Sequence, residues 1–129
     1  MGELLILNHI IFIMNLQLLS NYLLSKKVTT SGYPFDESTL VFKVMNKMFA
    51  LFAEDETPLR INLKCYPAET QILRGMHKSI IPGYHMNKEH WNTIILDESL
   101  PNELIYKMID DSYNLVVKGL KKVDRDKLL

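Results

Sequence analysis

A second cysteine is the first thing this 129-residue chain lacks. With Cys65 alone, no intrachain disulfide can form and no cysteine cluster can hold zinc, which fits a reducing, cytoplasmic setting. Net charge is also missing: lysine and arginine balance aspartate and glutamate at a formal total of +0, so bulk electrostatics favours neither nucleic acid nor an anionic membrane. No apolar run is long enough to span a bilayer, which needs about 20 residues. The longest, Leu4 to Met14, is broken by Asn8 and His9. It has only Glu3 ahead of it and no small-residue cleavage site behind it, so it is a poor signal peptide. No Gly-x-Ser-x-Gly elbow appears, and Gly32, Gly75, Gly83 and Gly119 are isolated rather than gathered in a phosphate-binding loop. The expectation is a non-enzymatic protein without cofactor, metal or membrane anchor.

What is present fits one domain. The hydrophobic share is 47%, that of a folded chain, and the length leaves no room for two ordinary cores. Residues 1–13 read either as an apolar extension or as a misassigned start. Met14 looks like a second beginning, because an amphipathic helix follows it. The domain proper is expected over 14–120, with a charged tail over 121–129 that frays.

Leu16, Leu19 and Leu23 recur at helical spacing, predicting a helix from about Asn15, its N-cap, to Lys26. The polar run Lys27 to Gly32 reads as its end. Thr39 to Phe52 reads as a hairpin reversing at Asn46-Lys47. Leu59 to Lys64 alternates cleanly and predicts a strand whose wet face carries Arg60, Asn62 and Lys64. Pro67 and Gly75 bracket a short helix, Gly75 lying just past its end. Ile80 to Pro82 and Trp91 to Leu96 are two more strands, and Pro101 opens a long final helix. This order, α-β(3)-α-β(2)-α, predicts an α+β two-layer sandwich. Its five-stranded antiparallel sheet would carry helices mainly on one face and be partly open on the other.

The neutral total conceals an uneven distribution. Between Thr57 and Asn92, Arg60, Lys64, Arg74, Lys78 and Lys88 face only Glu69 and Glu89. Between Tyr33 and Glu56, Lys43 and Lys47 are outnumbered by Asp36, Glu37, Glu54, Asp55 and Glu56. The densest chemistry lies in the string from Tyr84 to Thr93, with His85, Lys88, His90 and the only tryptophan, Trp91. Metal is a weak explanation. His85 and His90, even with His77 and Cys65, match no strong zinc spacing and have no carboxylate pair beside them. Cys65 follows Lys64, but strand alternation puts the two on opposite faces, so Cys65 reads as a small buried hydrophobe.

Pro34-Phe35, Val41-Phe42-Lys43-Val44 with Lys47-Met48-Phe49-Ala50, Leu63-Lys64-Cys65, the Tyr84 to Thr93 string and Ser112-Tyr113-Asn114-Leu115-Val116 occur in that order. Together they resemble the MmcQ/YjbR family, small bacterial proteins commonly labelled DNA-binding. The resemblance covers about residues 14–120. Its one visible departure is Asn46, where the family commonly carries glycine; asparagine can adopt the same backbone. The resemblance implies a fold like that of type III secretion chaperones, in the element order read above, and a double-winged shape. It carries over no catalytic residue.

Two functions stay open. For DNA, Lys43, Arg60, Lys64, Lys78 and Lys88 are candidates for phosphate contact, with His85 and Trp91 stacking or packing beside a groove. Against that stands a purely structural role, in which the Trp91 ring anchors the core and the histidines order the turn. The other function is a protein-interaction or chaperone-like module, holding a protein partner or forming a homodimer. A contiguous positive patch joining Lys43, Lys64 and Lys88 favours DNA; a neutral apolar patch favours protein.

Overall fold

A computed structural model describes residues 14–128 of the chain; the expectations for residues 1–13 lie outside the described residues. Helix α1 (Leu16–Leu24) starts at Asn15, whose Oδ1 accepts the Leu18 N–H at 2.9 Å. Its Leu19 and Leu23 are fully buried, and Tyr22 donates its hydroxyl to Asp110 at 2.6 Å. Strand β1 (Thr29–Gly32) comes next and pairs antiparallel with β2 (Thr39–Val44). Strands β3 (Lys47–Ala53) and β4 (Arg60–Lys64) follow, then α2 (Pro67–Met76), β5 (Ile80–Pro82), β6 (Trp91–Ile95), α3 (Asn102–Lys118) and α4 (Lys122–Asp126). The strands form one six-stranded sheet in the order β1-β2-β3-β4-β6-β5, antiparallel at every step.

The α+β sandwich with one covered face is as expected, with four differences of detail. The sheet has six strands rather than five, because Thr29–Gly32 forms an edge strand where a helix end was expected. The hairpin reverses at Met45-Asn46, one residue early; both have positive φ, 47° and 67°, as a two-residue primed turn requires. Gly75 lies inside α2 rather than past its end. The charged tail does not fray: α4 folds there, and Leu120 and Leu128 are buried in the core.

The four helices among the described residues lie on one face. Phe42, Phe52, Ile61, Leu63 and Ile94 from the sheet meet Leu19, Leu23, Ile105, Ile109 and Val116 from the helices. Each such side chain, fully buried, contributes about 1.5–3 kcal/mol. A β-bulge between β2 and β3 sets the geometry of the opposite face. Phe42 pairs with Ala50 but Lys43 pairs with Met48, so Phe49 is the extra residue. Its ring turns into the helix layer, edge-on to Tyr113 at 5.3 Å. The fully buried Ser112 of α3 closes the gap, donating to the Phe49 carbonyl at 2.5 Å and accepting from the Lys64 N–H at 2.8 Å. A hydroxyl thus stands where the next ladder bond between β3 and β4 would have formed.

Candidate functional site

Residues paired in register share a face, so the pairings define cross-strand rows on the face without helices. One row carries Lys43 and Met48 from β2 and β3, then Lys64 and Trp91 from β4 and β6. The next carries Val41, Leu51, Asn62, Thr93 and Ile81. Arg60 and Ile95 lie one row further on. Strands stand about 4.8 Å apart, so Lys43 and Lys64 are roughly 10 Å apart, within reach of neighbouring phosphates on one strand. Lys47, at the same end, pairs with the buried Val44 and so belongs to the helix side rather than to the open face.

Lys88 joins this end through the loop between β5 and β6, which is pinned at several points. Arg74 of α2 donates to the carbonyls of Lys88 at 2.6 Å and Trp91 at 3.1 Å, and to the Asn92 side chain at 2.8 Å. Asn92 in turn donates to Thr70 at 2.5 Å. Asn87 Oδ1 accepts from the N–H groups of Glu89 and His90, and the Cys65 N–H donates to the His90 carbonyl. Gly83 donates its N–H to the Trp91 carbonyl at 2.8 Å, and a Cβ added there would lie 2.9 Å from Trp91 Cβ. Any larger residue would push the loop off β6.

Trp91 does not reach the core, contrary to the structural expectation. It is half-buried on the open face beside Lys64, because its neighbour Asn92 is the residue that points into the helix layer. Lys43, Lys64 and Trp91 therefore lie in one row, with Lys88 exposed in the loop at the same end of the sheet. Arg60 does not join them: it lies four residues from Lys64 along β4, about 13 Å at the usual rise per residue. Lys78 precedes β5, at the end of the sheet opposite Lys88. His85 lies between the two ends, its backbone at φ 62° and its ring 4.0 Å from that of Tyr84.

The opposite end is acidic. Asp36 and Glu37 precede β2, and Glu54, Asp55 and Glu56 follow β3. Tyr33 donates its hydroxyl to Glu54. Asp36 accepts from the Thr39 and Ser38 N–H groups, which hold its carboxyl below the usual carboxylate range. Between the ends a groove of about 630 Å³ crosses the middle of the sheet. Leu51, Asn62 and Thr93 form its floor, Met48 and Arg60 its ends, and Phe35, Tyr84, His85 and Met86 its walls. The floor is ordered: Thr93 donates to Asn62 Oδ1 at 2.6 Å and accepts from the Tyr84 N–H at 3.2 Å.

Other chemistry is sparse. Burial pushes the Cys65 thiol up, against the pull of Thr70 and Arg74, which disfavours the nucleophilic thiolate. Among the described residues no three histidine, cysteine or carboxylate side chains converge as a metal site, and no helix is long and apolar enough to cross a membrane. The sequence reading named His85 but missed the aromatic walls of the groove. Phe35 is 66% exposed and Tyr84 71%, and an aromatic residue following proline or glycine in a polar loop was the available signal. It also missed Arg74 and Ser112 as the groups that position the site.

Comparison with known proteins agrees with this architecture. The family model described as YjbR matches residues 24–115. The chain is 40% identical to the uncharacterized protein YbdF of Escherichia coli O157:H7 over 74% of this chain and 79% of that one. It is 33% identical to the uncharacterized protein YjbR of E. coli K12, over 90% of this chain and 98% of that one. The crystal structure of a Deinococcus radiodurans protein superposes with a TM-score of 0.84 at 39% identity, covering 90% of this chain and 88% of that one.

Proposed function

The chain belongs to the YjbR family, and from the placement of its lysines we propose that it is a non-catalytic, cytoplasmic nucleic-acid-binding module with contacts directed at phosphate. The observation that carries this reading is the row of Lys43, Lys64 and Trp91 on the open face, with Lys88 exposed in the loop at the same end of the sheet. Cations two strands apart can meet separate phosphates of one backbone, and an indole beside Lys64 offers a stacking surface. The lysines of this end stand on strands and a loop rather than on a helix, so the reading is phosphate contact and not base-specific readout by a recognition helix.

Three phosphate contacts, from Lys43, Lys64 and Lys88, give a slope of log affinity against log salt of about −2.7 on duplex, from roughly −0.9 per contact. Fluorescence anisotropy with duplex and single-stranded DNA over a salt series measures it. Lys64→Ala and Lys88→Ala should each flatten the slope by about one contact, while Arg60→Ala and Lys78→Ala, at the other end, should change it less. Absence of binding at about 50 mM salt, where phosphate contacts are strong, ends this reading.

One observation favours a protein partner instead. Ile72 and Met76, one turn apart on α2, are 65% and 68% exposed. A second copy of the chain is the simplest partner for such a stripe. Sedimentation analysis tests it: a dimer that Ile72→Lys dissociates supports this reading, and a monomer at high concentration removes it.

A further inference from the structure

Charge on the open face is polarised along the strands, and the groove lies between the poles. Lysines occupy the end at Lys43, Lys64 and Trp91; at the other, the loop carboxylates, Glu56 of the groove lining among them, outnumber Arg60. Met48 belongs both to the lysine row and to the groove lining, so the groove opens directly onto the basic end. Its two exposed rings stand on opposite sides. Phe35 comes from the connection between β1 and β2, and Tyr84 from the connection between β5 and β6. On the floor, Asn62 spends an oxygen lone pair on Thr93, while its amide N–H group has only a long 3.5 Å contact to the Leu51 carbonyl. An amide with donor capacity to spare, between aromatic walls, suits a flat, neutral, hydrogen-bonding ring.

We infer that the open face is built for single-stranded nucleic acid, with the backbone on the lysine row and unpaired bases in the groove between Phe35 and Tyr84. The inference rests on the nucleic-acid reading and narrows it. A nucleobase is neutral and tolerates the acidic pole; a phosphate does not. A duplex carries phosphates on both outer edges with its bases enclosed. Laid across this face, it would set one phosphate row on the lysines and bring the other toward Asp36, Glu37, Glu54, Asp55 and Glu56. A single strand avoids that repulsion, because its bases can turn toward the groove while all its phosphates stay at the basic end.

The test uses the whole chain with labelled oligothymidylate and oligouridylate of about 12 nucleotides, and a duplex of equal length. Single strands should bind at least tenfold tighter than duplex. Phe35→Ala and Tyr84→Ala remove rings that are mostly exposed and absent from the core, so the fold survives them. Each should weaken single-strand binding about tenfold at every salt concentration with the slope unchanged, because stacking releases no counterions. Lys64→Ala should instead reduce the slope by about 0.7 on single strands. Duplex bound as tightly as single strands, or ring truncations without effect, would overturn the inference while leaving the lysine end as a phosphate site. Failure of every oligonucleotide to bind would remove both.

Discussion

Ser112→Ala isolates how the helix layer fixes the open face. The serine hydroxyl is wholly buried, donates to the Phe49 carbonyl at 2.5 Å and accepts from the Lys64 N–H at 2.8 Å. Alanine leaves both backbone groups without that partner, at about 1–3 kcal/mol each. Its better helix propensity returns roughly 0.5 kcal/mol. Direct closure of the ladder would recover more, but the extra residue at Phe49 holds the strands apart there. The net loss should be about 1.5–5.5 kcal/mol, or roughly 6–22 °C in Tm for a domain of this size. Urea and thermal unfolding followed by circular dichroism measure it. Ser20→Ala is the control. Ser20 Oγ is buried with no hydrogen-bond partner among the described residues, so alanine there should be neutral or stabilising by up to about 1 kcal/mol. A Ser112→Ala loss below about 1 kcal/mol, or a loss equal to that of Ser20→Ala, would refute the idea that the hydroxyl completes the ladder.

Arg74→Ala removes three charge-assisted bonds to the Lys88–Asn92 segment. It should cost about 2–3 kcal/mol and raise amide hydrogen exchange selectively over residues 84–91. Gly83→Ala places a methyl group 2.9 Å from Trp91 Cβ. It should cost about 1–3 kcal/mol in urea and shift the Trp91 fluorescence, and an unperturbed spectrum at full stability would contradict the close packing. Burial, and then the hydrogen bond to Asp110, push the Tyr22 hydroxyl up to about 12 from 10.0. Its protonated form is favoured in the folded state, so its stabilising contribution is complete below pH 10.0 and is lost as pH rises toward about 12. Tyr22→Phe should flatten that alkaline limb in unfolding experiments run across the same pH window.

Elements with periodic apolar residues were legible in the sequence. The leucines of α1 and the alternation through β4 predicted their elements within a few residues, and Arg60, Asn62 and Lys64 do share the wet face. Elements without a pattern were not. Thr29–Gly32 has no apolar alternation, because as an edge strand it needs only the β2 backbone beside it. Met45 hides the hairpin turn, since a left-handed methionine is costly and is accepted only because the flanking strands impose it. In the tail, Leu120 and Leu128 are too widely separated among charges to announce α4. The residue types of the site were legible, but their convergence was not. It depends on β4 pairing with β6 rather than β5, and on the direction of each strand. That direction separates Arg60 and Lys78 from the other candidate cations, though both lie in the same basic stretch of sequence.

Seven residues of the string from Tyr84 to Thr93 fall into two sets once their contacts are known. Asn87, Asn92 and Thr93 are spent on geometry, with Gly83 and Arg74 outside the string assisting them. Tyr84, His85, Lys88 and Trp91 take no such part with their side chains, and they face solvent or the open face. A purely structural corner would need only the first set and would gain stability by burying the aromatic rings of the second, at about 25 cal/mol for each Å² removed from water. Instead Tyr84 stays 71% exposed against His85, on a loop tied down at both ends. Rigid support beneath exposed rings lowers the entropy lost when a partner binds them. The cost of that exposure is the physical reason to read the string as a prepared contact surface rather than as a turn alone.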